Sequence, residues 1–229
     1  MLYIVSTPIG NLDDLSYRQA RTLVDSDIIL AEDTRSYQKL LSGIERIFNL
    51  KPKSNQKSIS YYKEVEFEKL PEVLGYLESE QNVSLISDAG TPLVSDPGFL
   101  LVKEVVKRNI PYDSIPGSSS VTNALVLSGL QAKKWMFVGF FPKKRNDLVK
   151  LLNSLKEITK IDKEIIFVGF ESSQRINESL KIFTETSSNA EIVIAREMTK
   201  KFQEVLRGKP EELSEKTYKG ELTAIFKIS

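Results

Sequence analysis

The chain has 229 residues, of which 41% are hydrophobic and 28% charged, so it can bury a substantial core in one large or two small domains. Its 32 basic and 31 acidic residues leave a formal charge of +1, which by itself indicates no charged partner. The chain contains no histidine and no cysteine. These absences exclude a Ser-His-Asp triad, histidine- or thiolate-bound metals and disulfides, so acid–base chemistry must fall to Asp, Glu, Lys, Tyr or water.

The first residues, MLYIVSTPIGN, lack the basic start of a signal peptide and turn polar early. No apolar run in the sequence approaches the roughly 20 residues that span a bilayer. The absence of cysteine fits a reducing compartment. We therefore expect a cytoplasmic protein without a membrane segment.

Short apolar runs alternate with amphipathic stretches in the first half of the chain. This alternation of strand and helix indicates a parallel α/β sheet. The predicted strands are Leu2–Val5, Asp27–Ala31, Ser58–Tyr61, Val83–Ser87 and Tyr112–Ile115. The predicted helices are Ser16–Asp25, Thr34–Leu41, Glu64–Glu80 and Pro97–Arg108.

The second half has longer strand-like runs, and helices separate only the first three of them. This pattern predicts a second α/β domain with a mixed sheet, and we place the boundary so that the domains are residues 1–114 and 115–229. The predicted strands are Met136–Phe141, Glu164–Phe170, Glu191–Arg196, Phe202–Arg207 and Leu222–Ile228. The predicted helices are Ser119–Ser128, Asn146–Thr159 and Gln174–Thr186.

Three loops that leave predicted strand ends have an unusual composition: STPIGN, ISDAGTPLVSDPG and PGSSS. Ligands of parallel sheets gather at the carboxyl ends of strands, so these loops are candidate binding segments. Helix capping is the competing interpretation, because Asp96 and Pro97 form a good N-cap and N1 pair and Ser118–Ser120 can cap the next helix. Capping does not account for DAGTP, whose closely spaced small residues allow a ligand to lie against the backbone. We favour a binding site there.

Two further segments have both a functional and a structural interpretation. In AEDTR, Glu32, Asp33 and Arg35 either face a substrate or serve as a helix cap beside a solvated cation. In KKWMFVGFFPKKR, cations interleave with aromatics, as in nucleic-acid binding. We favour core aromatics on that strand, and we keep Lys143, Lys144 and Arg145 as a candidate phosphate-contacting loop.

Taken in order, seven segments resemble the ribosomal RNA small subunit methyltransferase I family, within the tetrapyrrole methylase superfamily. They are LYIVSTPIGNLDDL, AEDTR, SLISDAGTPLVSDPG, IPGSSS, FVGFFP, FESSQR and AREMTK, and together they extend nearly end to end. The resemblance implies two α/β domains of the tetrapyrrole methylase type, with S-adenosyl-L-methionine in the cleft between them. It also implies 2′-O-methylation of a cytidine ribose in 16S rRNA of the small ribosomal subunit, a homodimer and no metal.

The resemblance further implies a set of cofactor-binding residues. They are Pro8, Asp88, Ala89, Gly90, Thr91, Val94, Ser119, Ser120, Glu171 and Met198. A ribose hydroxyl is a poor nucleophile that gains from a positioned base. Because histidine is absent, we expect that base in AEDTR, Asp33 before Glu32, with Arg35 binding a phosphate.

The sequence departs from the family pattern at four places, which are GFESSQR, the Tyr61–Glu66 segment, PGSSS in place of the family's PGPS, and a shortened basic loop after GFFP. In GFESSQR, Ser173 and Gln174 stand where the family has proline and histidine, and the Tyr61–Glu66 segment lacks the family's histidine and asparagine. These departures keep two alternatives open. One is an enzyme of the same superfamily that acts on a small molecule, and the other is a cofactor-binding RNA-binding protein without catalysis.

Overall fold

A computed structural model describes residues 1–228, which divide into two compact units with the boundary between Ser119 and Ser120. The first unit contains five parallel strands in the order β3-β2-β4-β1-β5. The strands are β1 (Leu2–Val5), β2 (Ile28–Ala31), β3 (Lys57–Ser60), β4 (Val83–Ile86) and β5 (Tyr112–Ile115). The α-helices are α1 (Tyr17–Asp25), α2 (Thr34–Phe48), α3 (Glu66–Glu78) and α4 (Phe99–Lys107).

Helices cover both faces of this sheet. One core cluster joins the sheet to α1 and α2, and a second joins its other face to α3 and α4. The chain passes from β1 to β2 in one direction along the sheet, and from β4 to β5 in the other. Because β1 and β4 are neighbours, the loops that follow them flank the topological switch point, where open α/β sheets bind ligands. The predicted parallel α/β domain is confirmed.

The end of α2 and the start of α4 differ from the sequence prediction. Helix α2 continues through Gly43 to Phe48 instead of ending at Leu41, and Ile44 beyond the predicted end is buried in the core. The predicted cap of α4 by Asp96 and Pro97 is wrong, since the N-cap is Gly98, with φ of 116°.

The second unit contains a mixed sheet in the order β6-β7-β10-β8-β9, in which β6 and β7 are parallel and the other pairs antiparallel. The main core lies between this sheet and helices α6 and α7, whereas α5 packs against β7, β8 and β10 outside that core cluster. The strands are β6 (Trp135–Phe140), β7 (Ile166–Ser172), β8 (Glu191–Arg196), β9 (Glu204–Gly208) and β10 (Glu221–Lys227). The helices are α5 (Ser120–Ser128), α6 (Arg145–Ile161), α7 (Ile176–Ser187) and α8 (Pro210–Ser214). The predicted mixed sheet is confirmed.

The aromatics around β6 only partly follow the core prediction. Phe141 is buried in the main cluster, but Trp135 is 43% exposed and Phe140 is 59% exposed. Strand β6 forms one edge of the sheet, and its pairing with β7 shifts register between Phe137 and Phe140. An edge strand with such an irregularity leaves side chains uncovered. In the part of the chain that the structure describes, no helix is long and apolar enough to cross a membrane.

Candidate functional site

The loops after β1 and β4 are joined at the switch point by a short antiparallel bridge. The amide of Thr7 donates to the carbonyl of Gly90 at 2.8 Å, and the amide of Gly90 donates to the carbonyl of Thr7 at 3.1 Å. The Thr7 hydroxyl also donates to the carbonyl of Ser87 at 3.1 Å. The DAGTP segment is therefore fixed to the first loop by backbone and side chain together.

Hydroxyl groups connect these two loops to the loop after β5. Ser6 Oγ donates to Thr91 Oγ1 at 3.0 Å, and Thr91 Oγ1 donates to the carbonyl of Ser118 at 3.3 Å. The amide of Ser6 donates to the carbonyl of Ile115 at 3.1 Å. The three loops predicted as binding segments thus meet in one assembly. Hydroxyl, amide and carbonyl groups of the loops themselves supply its hydrogen bonds.

Gln19 of α1 holds the first loop of this assembly in place by a hydrogen bond. This role was not predicted from the sequence. It closes a capping box with Ser16 at the start of α1, and its Nε2 donates to the carbonyl of Ser6 at 2.6 Å. Gly117 lies against the same amide, since a Cβ there would be 2.1 Å from Gln19 Nε2. A Ser-x-x-Gln pattern before an amphipathic stretch is the signal that predicts the capping box. The pattern does not indicate the tertiary hydrogen bond.

The segment from Gly90 to Gly98 concentrates unusual backbone conformations. Positive φ angles occur at Gly90 (90°), Leu93 (71°), Ser95 (73°) and Gly98 (116°). For residues other than glycine, such conformations cost free energy and persist only where the surroundings enforce them. The side chain of Glu66 fixes the end of this segment, because its Oε1 accepts hydrogen bonds from the amides of Gly98 at 3.1 Å and Leu100 at 2.9 Å.

The predicted cofactor residues of the first unit surround this segment. Asp88 and Ala89 are exposed, Gly90 and Pro8 are buried, and Val94 is 41% exposed. Ser119 ends the first unit, and Ser120 is the first residue of α5. The exposed residues present an acid and bare backbone directly beside the fixed bridge.

In AEDTR, Asp33 and Arg35 are occupied with each other. Asp33 caps α2 by accepting from the amide of Arg35 at 2.8 Å, and its carboxylate receives the Arg35 guanidinium, with Nη2 at 2.7 Å. The hydrogen bonds from Arg35 lower the pKa of Asp33. This pair matches the capping interpretation, in which Arg35 lies on an exposed helix face.

Glu32 has a different environment from its neighbour. Partial burial raises its pKa, and the negative charges of Asp88, Asp96 and Glu64 raise it further. Burial also raises the pKa of Asp96, against a hydrogen bond from Ser87. The end of β2 therefore brings Glu32 near the acids that follow β4, so AEDTR and DAGTP border the same space in the first unit. Among residues 1–228, no cluster of acids is arranged to hold a metal ion.

In the second unit, Glu171 lies at the end of β7 with its side chain fully buried. Its Oε1 accepts from the Arg175 guanidinium and from the amide of Ser172, and its Oε2 accepts from Ser179 Oγ at 2.6 Å. Both carboxylate oxygens are thus engaged within this unit. Any contact between Glu171 and a cofactor would therefore come from its backbone and not from its carboxylate.

Met198 is buried in the connection between β8 and β9. Its neighbours Glu197 and Thr199 have φ angles of 48° and 64°. Glu197 Oε1 accepts from Lys200 Nζ and from the amide of Glu221, both at 3.0 Å, which fixes this connection against the start of β10. Met198 therefore occupies a rigid turn at the carboxyl end of β8.

Comparison with known sequences places this arrangement in a family. The model of the family described as Tetrapyrrole (Corrin/Porphyrin) Methylases matches residues 1–214. A protein of Thermotoga maritima named "Ribosomal RNA small subunit methyltransferase I" is 38% identical, with 98% of this chain and 97% of that protein covered. Relatives with the same name are 40% identical in Rickettsia prowazekii (93% and 72% covered) and 39% identical in Borrelia garinii subsp. bavariensis (100% and 99% covered).

Solved structures share the fold at low sequence identity. The methyltransferase CobJ is 14% identical with a TM-score of 0.71, over 100% of this chain and 94% of that chain. A uroporphyrin-III C-methyl transferase from Thermus thermophilus, complexed with S-adenyl homocysteine, is 16% identical with a TM-score of 0.63, over 99% and 96%. The profile match over residues 1–214 and the relatives that are 38–40% identical over nearly the whole chain establish that this chain belongs to the tetrapyrrole (corrin/porphyrin) methylase family.

Proposed function

We propose that the protein is an S-adenosyl-L-methionine-dependent methyltransferase that modifies 16S rRNA of the small ribosomal subunit, at the ribose 2′-hydroxyl of a cytidine. The observation that carries the proposal is the end-to-end similarity to relatives named ribosomal RNA small subunit methyltransferase I. The loop assembly at the switch point supports it, because this is where the fold binds ligands. A cytoplasmic location and a homodimer belong to the same proposal.

The residues beside the bridge fit the cofactor. A Cβ at Gly90 would make a tight contact of 3.3 Å with Ile9 Cγ2, and the φ of 90° at this position strains any other residue. Ala89 is exposed and has only a small side chain, and the exposed Asp88 suits a ligand with cationic groups. The proposed cofactor residues of the second unit are Met198 and, through its backbone, Glu171.

S-adenosyl-L-methionine, when bound, supplies a methyl group that is activated by an adjacent sulfonium. The chain's contribution is mainly alignment of the ribose oxygen with that methyl group, and good alignment is worth ~7–11 kcal/mol in favourable cases. The rigid loops that Ser6, Thr7 and Thr91 tie together provide a surface on which such alignment can be kept.

We propose Glu32, ahead of Asp33, as the group that accepts the ribose hydroxyl proton. The raised pKa of Glu32 makes its carboxylate the better base, whereas the Arg35 hydrogen bonds lower the pKa of Asp33 and occupy its oxygens. This order reverses the expectation from the sequence. Arg35 is more than four-fifths exposed, so it retains donors for an RNA phosphate.

The experiment is methyl transfer from labelled S-adenosyl-L-methionine to 30S subunits, with cofactor affinity measured in parallel. Glu32→Gln is expected to lose about 10²–10⁴-fold in rate at unchanged cofactor affinity, and Asp33→Asn to lose far less. Equal rates for wild type and Glu32→Gln would place the base elsewhere. Tight cofactor binding without any transfer by the wild type would refute the enzymatic function, and label in a small molecule of a cell extract would refute the RNA substrate.

A further inference from the structure

The two units carry opposite formal charge. Residues 1–119 contain 13 basic and 17 acidic residues, a charge of −4, and residues 120–229 contain 19 basic and 14 acidic residues, a charge of +5. The total of +1 conceals this separation. A protein that binds nucleic acid needs its positive charge concentrated locally, so the second unit is the part of the chain that suits a polyanion.

Cations collect at the end of the second sheet where strands β6, β7 and β8 finish, which we call the carboxyl edge to distinguish it from the lateral edge formed by β6. Strands β6, β7 and β8 all end there, because β6 is parallel to β7 and β10 is antiparallel to both β7 and β8. The loop after β6 carries Lys143 and Lys144, which are exposed and form no ion pair with any residue that the structure describes. The amide of Phe141 donates to the carbonyl of Phe170 at 2.9 Å, so this loop lies beside the end of β7.

Arg175 is held at the same edge by the buried carboxylate of Glu171. Its Nη2 binds Glu171 Oε1, and its Nε donates to Ser172 Oγ at 3.3 Å. Its side chain is 31% exposed, and its Nη1 has no hydrogen-bond partner within residues 1–228. A buried carboxylate that fixes a partly exposed guanidinium leaves a preorganised donor for an anion.

Three acids at this edge are paired with other cations. Glu197 and Glu221 both bind Lys200, and Glu204 binds Arg196. Lys143 and Lys144 pair with none of these three carboxylates. Repulsion from these carboxylates would not prevent an anionic ligand from approaching the lysines.

A partly exposed aromatic cluster lies on β6 and β7, two of the strands that end at this edge. It consists of Phe137, Phe140 and Phe170, with ring centroids 4.9 Å apart for Phe137 and Phe170 and 5.3 Å for Phe140 and Phe170, both edge to face. Phe140 is the most exposed of the three, at 59%. Single-stranded nucleic acids bind where cations follow the backbone and aromatic rings stack on bases.

We propose that this edge of the second unit is a binding surface for single-stranded RNA, with Lys143, Lys144 and Arg175 on phosphates and Phe140 stacked on a base. The inference rests on the proposed function for the identity of the polyanion. It extends that function by assigning RNA recognition to named residues of the second unit.

The test is fluorescence anisotropy of the full chain with a labelled single-stranded RNA of about 12 nucleotides, across a series of KCl concentrations. The salt exponent is the magnitude of the slope of the logarithm of RNA affinity against the logarithm of salt concentration. The Lys143→Ala/Lys144→Ala variant is expected to lower this exponent by about 1.4, since each phosphate contact to a single strand contributes ~0.7. The matched control is Lys160→Ala/Lys163→Ala, at the end of α6 and before β7, hence at the opposite edge of the sheet. It removes the same formal charge and is expected to change the exponent little.

Two further variants separate stacking from charge. Phe140→Ala is expected to weaken RNA binding about tenfold at an unchanged salt exponent, and Phe140→Tyr to bind like the wild type. Arg175→Gln is expected to lower the exponent by about a further 0.7, with circular dichroism checking the fold because Glu171 loses its partner. Affinity for S-adenosyl-L-methionine, measured by calorimetry, is expected to stay unchanged in the lysine variants.

An equal salt exponent for the lysine variant and its control would overturn the proposal. So would a Phe140→Ala variant that keeps RNA affinity but changes the sedimentation of the protein, since the cluster would then contact a second copy of the chain. The proposed enzymatic function fails separately, if the wild type binds RNA with the expected exponent but transfers no methyl group.

Discussion

Gly117→Ala is expected to disorganise the loop assembly at the switch point without removing any group that contacts a ligand. The new Cβ would lie 2.1 Å from Gln19 Nε2 and 2.8 Å from Ser6 Cβ, so the buried amide of Gln19 must move away from the carbonyl of Ser6. An unpaired buried polar group costs about 1–3 kcal/mol, and overpacking costs a similar amount. We expect the first unit to lose about 3 kcal/mol of stability, or ~10 °C in Tm.

The assay is urea unfolding followed by circular dichroism, combined with calorimetric titration of S-adenosyl-L-methionine. Cofactor affinity is expected to fall about tenfold, which corresponds to 1.4 kcal/mol of lost loop order. Gly75→Ala is the matched control, because Gly75 is exposed within α3 and a Cβ there meets nothing within 4 Å. That variant is expected to gain about 0.5–1 kcal/mol. If Gly117→Ala unfolds and binds like the wild type, the Gln19 contact does not hold the loops.

Two other substitutions test the carboxylates of the first unit. Glu32→Gln is expected to raise Tm at neutral pH. The pKa of Glu32 is raised in the folded protein, so folding favours its protonated carboxyl over its carboxylate. This contribution to stability is present in acid and is lost as the pH rises through the folded-state pKa. The gain in Tm should vanish in acid, where the carboxyl is protonated in both states, and a gain independent of pH would contradict this electrostatic origin. Glu66→Ala is expected to destabilise the first unit by about 2 kcal/mol, because two amides at the start of α4 lose their acceptor. Glu66→Gln, which keeps the acceptor oxygen, should recover most of that loss in urea unfolding, and equal losses for both variants would assign the effect to packing.

Local chemistry in the sequence was sufficient to predict the parts of the site that depend on backbone. The alternation of strands and helices predicts the parallel sheet, and the glycines and prolines after β1, β4 and β5 predict which loops meet. The register of the sheet brings the carboxyl ends of neighbouring strands together, as it must in parallel pairing. The loop assembly of the first unit is therefore a consequence of topology that the sequence already indicates.

Contacts between distant segments could not be predicted in this way. Asp96 and Pro97 have the right chemistry for a cap, but Glu66, 32 positions before Gly98, caps α4 instead. Tertiary contacts overrode the local preference at the start of α4, and at Gly43 the helix continues through a residue that locally favours an end, with Ile44 buried in the core.

The same limit applies to β6 and to Glu171. A strand rich in aromatics predicts a core, but whether it lies at the centre or at the edge of a sheet depends on the pairing of the whole unit. Motif similarity predicts Glu171 as a cofactor contact, but it does not indicate that Arg175 and Ser179 bind the carboxylate. A motif identifies a residue that matters and leaves open whether it contacts the ligand or positions another residue.

The most direct test of the proposed function is to map the methyl group that the purified protein transfers from labelled S-adenosyl-L-methionine to 30S subunits. We expect label in 16S rRNA at a single cytidine, on the ribose 2′-oxygen, which mass spectrometry of nuclease fragments distinguishes from a base methyl group. Label on a base, or no label in RNA from subunits that lack the modification, would contradict the proposed reaction.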